Sequence, residues 1–524
     1  MLQKTTNLLT YTELKTIKKI LLHDYVIGIV QHVHNRSMDL IEKSISRNRE
    51  MFEQAFHYPA NKDIVFRDFK FRDKEGFVIY IDGMSSGDKI SDFILRPLLN
   101  NKNPSADIES ILHVSSIAAE TDFNEAILAI LQGDCVLCID DNANAYICET
   151  KGFDKRGVEK PQVENSIVGS QEAFTETLRT NTTQLHRIIK NQGLTTEMVT
   201  VGKINQLSCG VVFVQGIANT EFVEEVKRRL KGIDTDFVQN GGMIEQFIED
   251  RSFSLFPTVT TTERPDNVAA LLMQGRIAII VDGSPRVIVV PITLFSILKT
   301  SEESALRIPL ASVVRAIRLL AVYAALLAPA LYLAITTFHP NMLPTGLAIS
   351  IAKSRVNIPY PALFELLIME ISFELIREAG ERIPGLLGST IGIVGGLILG
   401  EAAVSAGLVS QGCVVIIAFT ALGNFAIPQY QLSITARILR IIFLLCAGLF
   451  GFLGISLAFI ILAGYLNAMT SFGIDFVNPL FSGNTRMFPK QPVWEYENRP
   501  PSLCTGKPEY QPRISRLWKR PADQ

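Results

Sequence analysis

Residues 441–474 read IIFLLCAGLFGFLGISLAFIILAGYLNAMTSFGI and contain no Asp, Glu, Lys or Arg. The block Leu319–Ala352 is also uncharged, and Ile383–Ala436 holds a single charged residue, Glu401. Because 19% of the 524 residues are charged, uncharged blocks of this length are not expected by chance. A helix needs about 20 apolar residues to cross a bilayer. The C-terminal half is therefore predicted to be an all-α polytopic membrane domain.

Charge, cysteine content and motifs argue against several classes of function. Lys and Arg number 50 and Asp and Glu 52, so there is no basic excess of the kind that binds nucleic acid. The seven cysteines show no disulfide or metal-ligand spacing, and Cys135 and Cys138 would lie on opposite faces of one strand. The sequence has no phosphate-binding loop, dinucleotide fingerprint or nucleophile elbow. We expect no enzymatic activity, no cofactor and no metal.

The N-terminal half alternates short strands with helices, which is typical of an α/β fold. The dipeptide Gln132-Gly133 ends a predicted helix before an apolar strand, and Gln274-Gly275 does the same 142 positions later. Regular recurrence of one pattern indicates a structural repeat. The stretches 62–150 and 195–292 are therefore predicted to be two similar α/β subdomains.

Composition and periodicity divide the chain into six segments. They are an N-terminal helical segment 1–60, a first α/β subdomain 61–165, a helical linker 166–194, a second α/β subdomain 195–300, a membrane domain 301–470, and a basic, proline-rich tail 471–524. The tail is expected to be extended or disordered. Within the membrane domain we predict four spans at 317–338, 386–408, 411–427 and 438–466, a half-helix at 343–352 and an amphipathic helix at 362–380.

Basic residues cluster before the first predicted span and in the tail. By the positive-inside rule, both termini are expected in the cytoplasm. This requires an even number of crossings, and four satisfies it. Arg437 and Arg440 disagree with the rule, because four spans would put them on the outer side.

Six motifs stand out in the second half of the chain. They read TERPDNVAA (262–270), GRIAIIVDG (275–283), NIPYP (357–361), ELIREAG (374–380), GIVGGLILG (392–400) and AVSAGLVS (403–410). Together they resemble the A subunit of the GerA-type nutrient germinant receptors of endospore-forming bacteria, from about Ala173 to Arg440. The resemblance implies a bipartite cytosolic domain, a membrane domain and a short cytosolic tail.

The resemblance also implies a location and partners. The family acts in the spore inner membrane, with a transporter-fold B subunit that binds the nutrient and a lipoprotein C subunit. The A subunit is expected to be a homo-oligomer in membrane lipid that forms a ligand-gated, cation-conducting assembly. A paralogue, the stage V sporulation AF-type protein, shares the same motifs and remains an alternative.

Three carboxylates, Glu370, Glu374 and Glu378, recur every four residues and so form one stripe on a helix. Carboxylates beside membrane spans are costly unless they face water or a partner. One interpretation is a cation vestibule built from rings of these residues. The other is a surface helix with ion pairs from Glu374 to Arg377 and from Glu378 to Arg382.

Glu401 is a further candidate for the ion pathway because it is alone in an apolar block. It could instead lie at the aqueous end of a span, or pair with Arg437 or Arg440. Pro359 and Pro361 restrict the backbone just before the acidic helix. They indicate either the hinge of a gate or a plain turn.

Two sets of glycines predict close helix packing, within one subunit or between subunits. They are Gly392, Gly396 and Gly400, and Gly448, Gly451 and Gly454.

Two other functions use the same features. One is a secondary transporter that couples ions through Glu401 and the acidic stripe, although transporters usually show paired halves in the membrane. The other is a non-conducting scaffold.

Overall fold

Two antiparallel sheets of five strands form the α/β part of the chain. The computed structural model describes residues 40–101, 107–152, 161, 164, 169–300, 302–382, 396, 398–477 and 498–510. The first sheet contains β1 (Ile64–Phe71), β2 (Lys74–Ile81), β3 (Ile117–Glu120), β4 (Cys135–Ile139) and β5 (Ala145–Cys148). The second contains β6 (Leu194–Val201), β7 (Leu207–Val214), β8 (Thr260–Thr262), β9 (Ile277–Val281) and β10 (Val287–Val290).

The two sheets repeat one topology and one register. Their strand orders are β1-β2-β4-β5-β3 and β6-β7-β9-β10-β8, which are identical when the strands are matched in chain order. Cys135 pairs with Cys148 in the first sheet, and Ile277 pairs with Val290 in the second. These pairs are related by the same 142 positions as the sequence repeat. The prediction of two similar α/β subdomains is confirmed.

Helices cover both sheets. They are α1 (Ile45–Ala55), α2 (Gly87–Lys89), α3 (Arg96–Asn100), α4 (Ile108–Ile111), α5 (Phe123–Leu131), α6 (Leu178–Ile188), α7 (Thr220–Lys231), α8 (Gly241–Ile248) and α9 (Pro265–Met273), with a π-helical turn at Ile90–Leu95. Because successive side chains of a strand alternate between faces, Cys135 packs with Ile94 on one side of the first sheet. Cys138 packs with Phe77 on the other side.

The chain forms two compact units. The first comprises Met1–Gly157 and Thr177–Met198, and the second comprises Val158–Glu176 and Val199–Gln524. The predicted helical linker 166–194 is divided between them. Its helix α6 belongs to the first unit, where Leu185 is fully buried. Phe174 belongs to the second unit, where its N–H donates to the carbonyl of Glu263 at 2.8 Å. Of the apolar residues on the predicted linker helix, Leu178, Leu185 and Ile189 are buried and Ile188 is exposed.

A helical region follows the second sheet, as predicted. Its helices are α10 (Leu294–Leu298), α11 (Glu302–Ala305), α12 (Ile308–Leu333), α13 (Thr345–Arg355), α14 (Ala362–Arg382), α15 (Gln411–Phe425), α16 (Tyr430–Phe450) and α17 (Phe452–Asn467). α12 continues as a π-helix at Ala334–Phe338, and a 3-10 turn follows at Pro340–Met342. Two of the described stretches are long and apolar enough to cross a membrane, namely Ile308–Phe338 and Tyr430–Phe450. The helices α15 and α17 are apolar but shorter. Of the predicted span 386–408, residues 386–395 and 397 lie outside the described residues.

The segment 438–466, predicted as one span, contains a reversal of the chain. α16 and α17 are separated only by Gly451, which has a φ of 59°. Glycine reaches this left-handed conformation without a steric penalty, so the turn needs no polar residue. The hydropathy of the segment is therefore uninterrupted, which is why the sequence indicates one helix where the structure has two.

α16 and α17 run antiparallel and form a hairpin. The hydroxyl of Thr435, in the second turn of α16, donates to the carbonyl of Leu255. The hydroxyl of Tyr465, near the end of α17, donates to the hydroxyl of Ser254 at 3.0 Å. Because both ends of the hairpin contact neighbouring residues of the second α/β subdomain, the Gly451 turn lies at the far end of the bundle.

The hairpin corrects the position expected for Arg437 and Arg440. α16 begins where Gln429 donates to the hydroxyl of Thr260 at 2.7 Å. The two arginines lie in the next turns of α16, in the half of the bundle nearest the second α/β subdomain. They are not at the far end, where four spans would put them.

The described parts of the tail are residues 471–477 and 498–510. Phe472 packs in the core of the second α/β subdomain, and residues 498–510 fold against the same subdomain. Leu503 is 1% exposed and Arg499 5% exposed. Arg499 Nε donates to the carbonyl of Met273 at 2.8 Å. The expectation of an extended or disordered tail is wrong for this segment, because composition does not reveal these two anchoring side chains.

Candidate functional site in the helical bundle

Two glutamates of α14 meet two arginines of α16 inside the bundle. Glu370 Oε2 lies 2.7 Å from Arg440 Nη2, and both side chains are 3% exposed. Glu374 accepts a hydrogen bond from Arg437 Nη1 at 2.9 Å, and its other oxygen lies 3.5 Å from Arg440. The intrahelical contact from Glu374 to Arg377 is longer, at 4.0 Å. The closest arginine partners of Glu370 and Glu374 therefore lie on α16 and not on α14 itself.

Several buried polar atoms in this half of the bundle make no hydrogen bond within the described part of the chain. They are Glu370 Oε1, Glu374 Oε1, Asn424 Oδ1, Gln429 Oε1, Gln431 Oε1, Arg437 Nη2 and Arg440 Nε. Buried polar atoms in folded proteins are nearly always paired. These groups therefore have hydrogen-bonding capacity that the described part of the chain does not use.

Glu365, in the first turn of α14, is a buried carboxylate that the sequence reasoning misses. It is 1% exposed and accepts hydrogen bonds from the backbone N–H of Ser410 at 2.8 Å and from its hydroxyl. Arg355 Nε donates to it at 3.3 Å. Its spacing in the sequence is the signal that could have identified it. Glu365 lies four residues before the apolar residue Met369, which is buried, and residues four apart lie on the same face of a helix.

The other two candidate carboxylates, Glu378 and Glu401, are exposed. Glu378 lies near the end of α14, and Glu401 lies in a helical stretch of residues 398–405. The side chain of Arg382, suggested as a partner of Glu378, lies outside the described residues. Arg437 and Arg440, suggested as partners of Glu401, contact the glutamates of α14 instead.

Pro359 and Pro361 are exposed in the connection between α13 and α14. Pro361 directly precedes the first residue of α14, and its carbonyl accepts a hydrogen bond from the N–H of Phe364 at 3.0 Å. Proline is well tolerated at a helix start because its missing N–H has no partner to lose there. The geometry is that of a turn that fixes where α14 begins.

The first glycine set shows no tight packing within the described chain. A Cβ added to Gly396 would have no atom within 4 Å, and one added to Gly400 would make an ordinary contact of 3.5 Å with Val414. Gly392 lies outside the described residues. Any close approach at Gly396 would therefore have to come from another chain or from the undescribed residues.

The second glycine set is tightly packed. A Cβ on Gly448 would lie 2.9 Å from Leu363 of α14, and a Cβ on Gly454 would overlap the carbonyl of Cys446. Gly451 forms the turn between the two helices. These glycines allow α16 to approach α14 and allow α17 to fold back on α16.

Polar contacts join the start of α16 to the second α/β subdomain. Gln431 Nε2 donates to Glu245 Oε1 of α8 at 2.5 Å. Burial raises the pKa of Glu245 to about 7. The charge at this junction therefore changes near neutral pH.

The chemistry available in the bundle is electrostatic. It consists of carboxylate and guanidinium groups, some paired in the interior and some exposed. Among the described residues, no three His, Cys, Asp or Glu side chains are grouped so as to hold a metal ion.

Residues 50–502 match the family described as Bacillus/Clostridium GerA spore germination protein. Spore germination protein KA of Bacillus subtilis is 36% identical, over 88% of this chain and 87% of that protein. Spore germination protein GerLA of Bacillus cereus is 37% identical, over 83% of this chain and 88% of that protein.

A solved structure is also similar. It is the crystal structure of the N-terminal domain of the A subunit of the Bacillus megaterium spore germinant receptor GerK3, at 30% sequence identity. The match covers 48% of this chain and 95% of that chain, with a TM-score of 0.38.

Proposed function

The chain belongs to the GerA family of spore germination proteins, and from this premise we propose that it is the membrane subunit of a nutrient germinant receptor. In this proposal it oligomerises in the spore inner membrane, with both termini in the cytoplasm. It acts with a transporter-fold B subunit and a lipoprotein C subunit, and its assembly conducts cations when the nutrient binds.

The observation that carries the proposal is the extent of the family match, which runs from the first sheet through the helical bundle into the tail. Two helices long and apolar enough to cross a membrane add support. The proposed partners follow from the family resemblance.

The carboxylates have two different roles in the proposal. Glu370 and Glu374 hold α14 against α16 through their ion pairs with Arg440 and Arg437. Glu378 and Glu401 are exposed, so they remain accessible to water and to a neighbouring copy. We assign Glu378 and Glu401 to the cation path because exposed carboxylate rings concentrate cations.

Current through planar bilayers containing the purified full-length protein tests conduction. We expect cation-selective channels, and we expect the double variant Glu378→Gln with Glu401→Gln to lose selectivity for cations while the amount of assembled protein is unchanged. Glu221→Gln, which removes an exposed carboxylate from α7, should leave selectivity unchanged and serves as the control. Absence of current would favour a scaffold, and unchanged selectivity in the double variant would remove these residues from the path.

A further inference from the structure

The C-terminal segment Asn498–Tyr510 occupies a groove in the second α/β subdomain. The groove lies between Gly216, which has a φ of 76°, and Gly275, which has a φ of 96°. The N–H of Gly506 donates to the carbonyl of Ile217 at 3.2 Å. A Cβ on Gly506 would lie 2.9 Å from the carbonyl oxygen of Gly216, so the tail backbone packs directly on the floor of the groove.

Thr505 fills the other side of the groove. Its methyl group occupies the space that a side chain at Gly275 would need. The segment thus closes the gap between the two positive-φ glycines with a backbone hydrogen bond on one side and an apolar contact on the other.

The first subdomain has an equivalent pair of positive-φ glycines, and a nearby part of the chain makes the equivalent backbone hydrogen bond there. Gly83, with a φ of 83°, follows β2, and Gly133, with a φ of 94°, precedes β4. In the same way, Gly216 follows β7 and Gly275 precedes β9. In the first subdomain the N–H of Gly152 donates to the carbonyl of Met84 at 3.1 Å. Met84 follows Gly83 as Ile217 follows Gly216, so Gly152 and Gly506 make equivalent hydrogen bonds.

The two subdomains differ in where this glycine comes from. In the first, the chain leaves β5 and reaches the groove within a few residues, at Gly152. In the second, the chain leaves β10 and continues into α10 and the helical bundle. The residues that directly follow β10 therefore cannot take the place that Gly152 has in the first subdomain. Gly506 takes that place instead, and it belongs to the tail, which follows the helical bundle in the chain.

Arg499 anchors the segment. Its guanidinium donates to the carbonyls of Met273 and Lys507 at 2.8 Å each, and to the carbonyl of Glu509. It also stacks on Tyr510 at 4.6 Å. Because Met273 ends α9, the cation lies at a helix C-terminus, where the helix dipole favours positive charge. One side chain thus joins the subdomain to both ends of the folded tail segment.

We propose that this groove of the second α/β subdomain is a peptide-binding site whose ligand is the chain's own C-terminal segment Asn498–Tyr510. The tail replaces a structural element that the repeat lost when its last strand became joined to the helical bundle. The segment binds through its own Arg499, which donates to the carbonyl of Met273 in the subdomain, and through its Gly506, where any added side chain would meet the carbonyl of Gly216.

Hydrogen exchange in the intact full-length protein tests this assignment. The amide of Gly506 is expected to exchange at least about 100-fold more slowly than in a synthetic peptide of residues 498–510, because it is hydrogen-bonded in the folded state. Arg499→Ala should bring the Gly506 rate to within about threefold of the peptide, while the amides of β9 stay protected. Lys507→Ala removes an exposed cation from the same segment and should leave Gly506 protected. Exchange of Gly506 at the peptide rate in the unmodified protein would overturn the proposal.

Binding in trans gives a second test. The labelled peptide 498–510 should bind a chain truncated after Glu497 and should not bind the intact chain, whose groove is filled. A peptide carrying Gly506→Val should bind at least about tenfold more weakly, because the added side chain meets the carbonyl of Gly216. Equal binding to the intact and the truncated chain would contradict the assignment, since the groove would then be empty in the intact protein.

Discussion

Replacing Gly454 with alanine is expected to destabilise the helical bundle by about 3 kcal/mol, the upper part of the usual range for an overpacked core. The new Cβ would overlap the carbonyl oxygen of Cys446, and a backbone atom cannot move aside as a flexible side chain can. Either the hairpin must open or the turn at Gly451 must change. The free energy of unfolding of the full-length protein, measured by denaturant titration in mixed micelles, checks this expectation.

Gly464 of α17 provides the matched control. A Cβ at this position would have no atom within 4 Å, and alanine favours a helix interior over glycine by about 0.5–1 kcal/mol. Gly464→Ala should therefore be neutral or slightly stabilising. If the two variants had equal stability, the hairpin would not be packed as described.

Replacing Arg440 with methionine is expected to cost about 3–5 kcal/mol, because it leaves the buried carboxylate of Glu370 without its partner. The double variant Glu370→Leu with Arg440→Met should recover most of this loss. Replacing both members of a buried ion pair with apolar residues of similar volume is often neutral. Glu374 would keep its contact with Arg437 in the double variant.

The same denaturant titration measures this cycle, with Lys353→Met as the control. Lys353 is an exposed cation of α13, and its replacement should change the free energy of unfolding by less than about 0.5 kcal/mol. Equal destabilisation in the single and double variants would mean that the two residues are not coupled.

The sequence predicts the α/β part well because its signals are local. The Gln-Gly dipeptides and the apolar strands behind them recur at a fixed spacing, and each lies within one strand–helix unit. The same logic identifies α14, because its apolar positions repeat within a few turns.

The helical bundle is harder to predict because its decisive features are not local. Glu370 pairs with Arg440, which lies far along the chain on another helix, and for the residues of the acidic stripe the sequence suggests only partners three or four residues away. The turn at Gly451 lies within a continuous apolar stretch, so the hydropathy of residues 438–466 does not reveal it. The docking of Arg499 on the end of α9 joins parts of the chain that no periodicity relates.

Germination of spores that lack this chain is the most direct test of its proposed role. Spores of the deletion strain and of the parent would be exposed to a panel of amino acids, sugars and nucleosides while released cations are measured. If the chain is the membrane subunit of a nutrient receptor, at least one nutrient that triggers the parent should release no cations from the deletion strain, and the wild-type gene should restore the response. A uniform slowing with every nutrient would indicate the amplifying paralogue instead. Release at the parental rate with every effective nutrient would contradict the account.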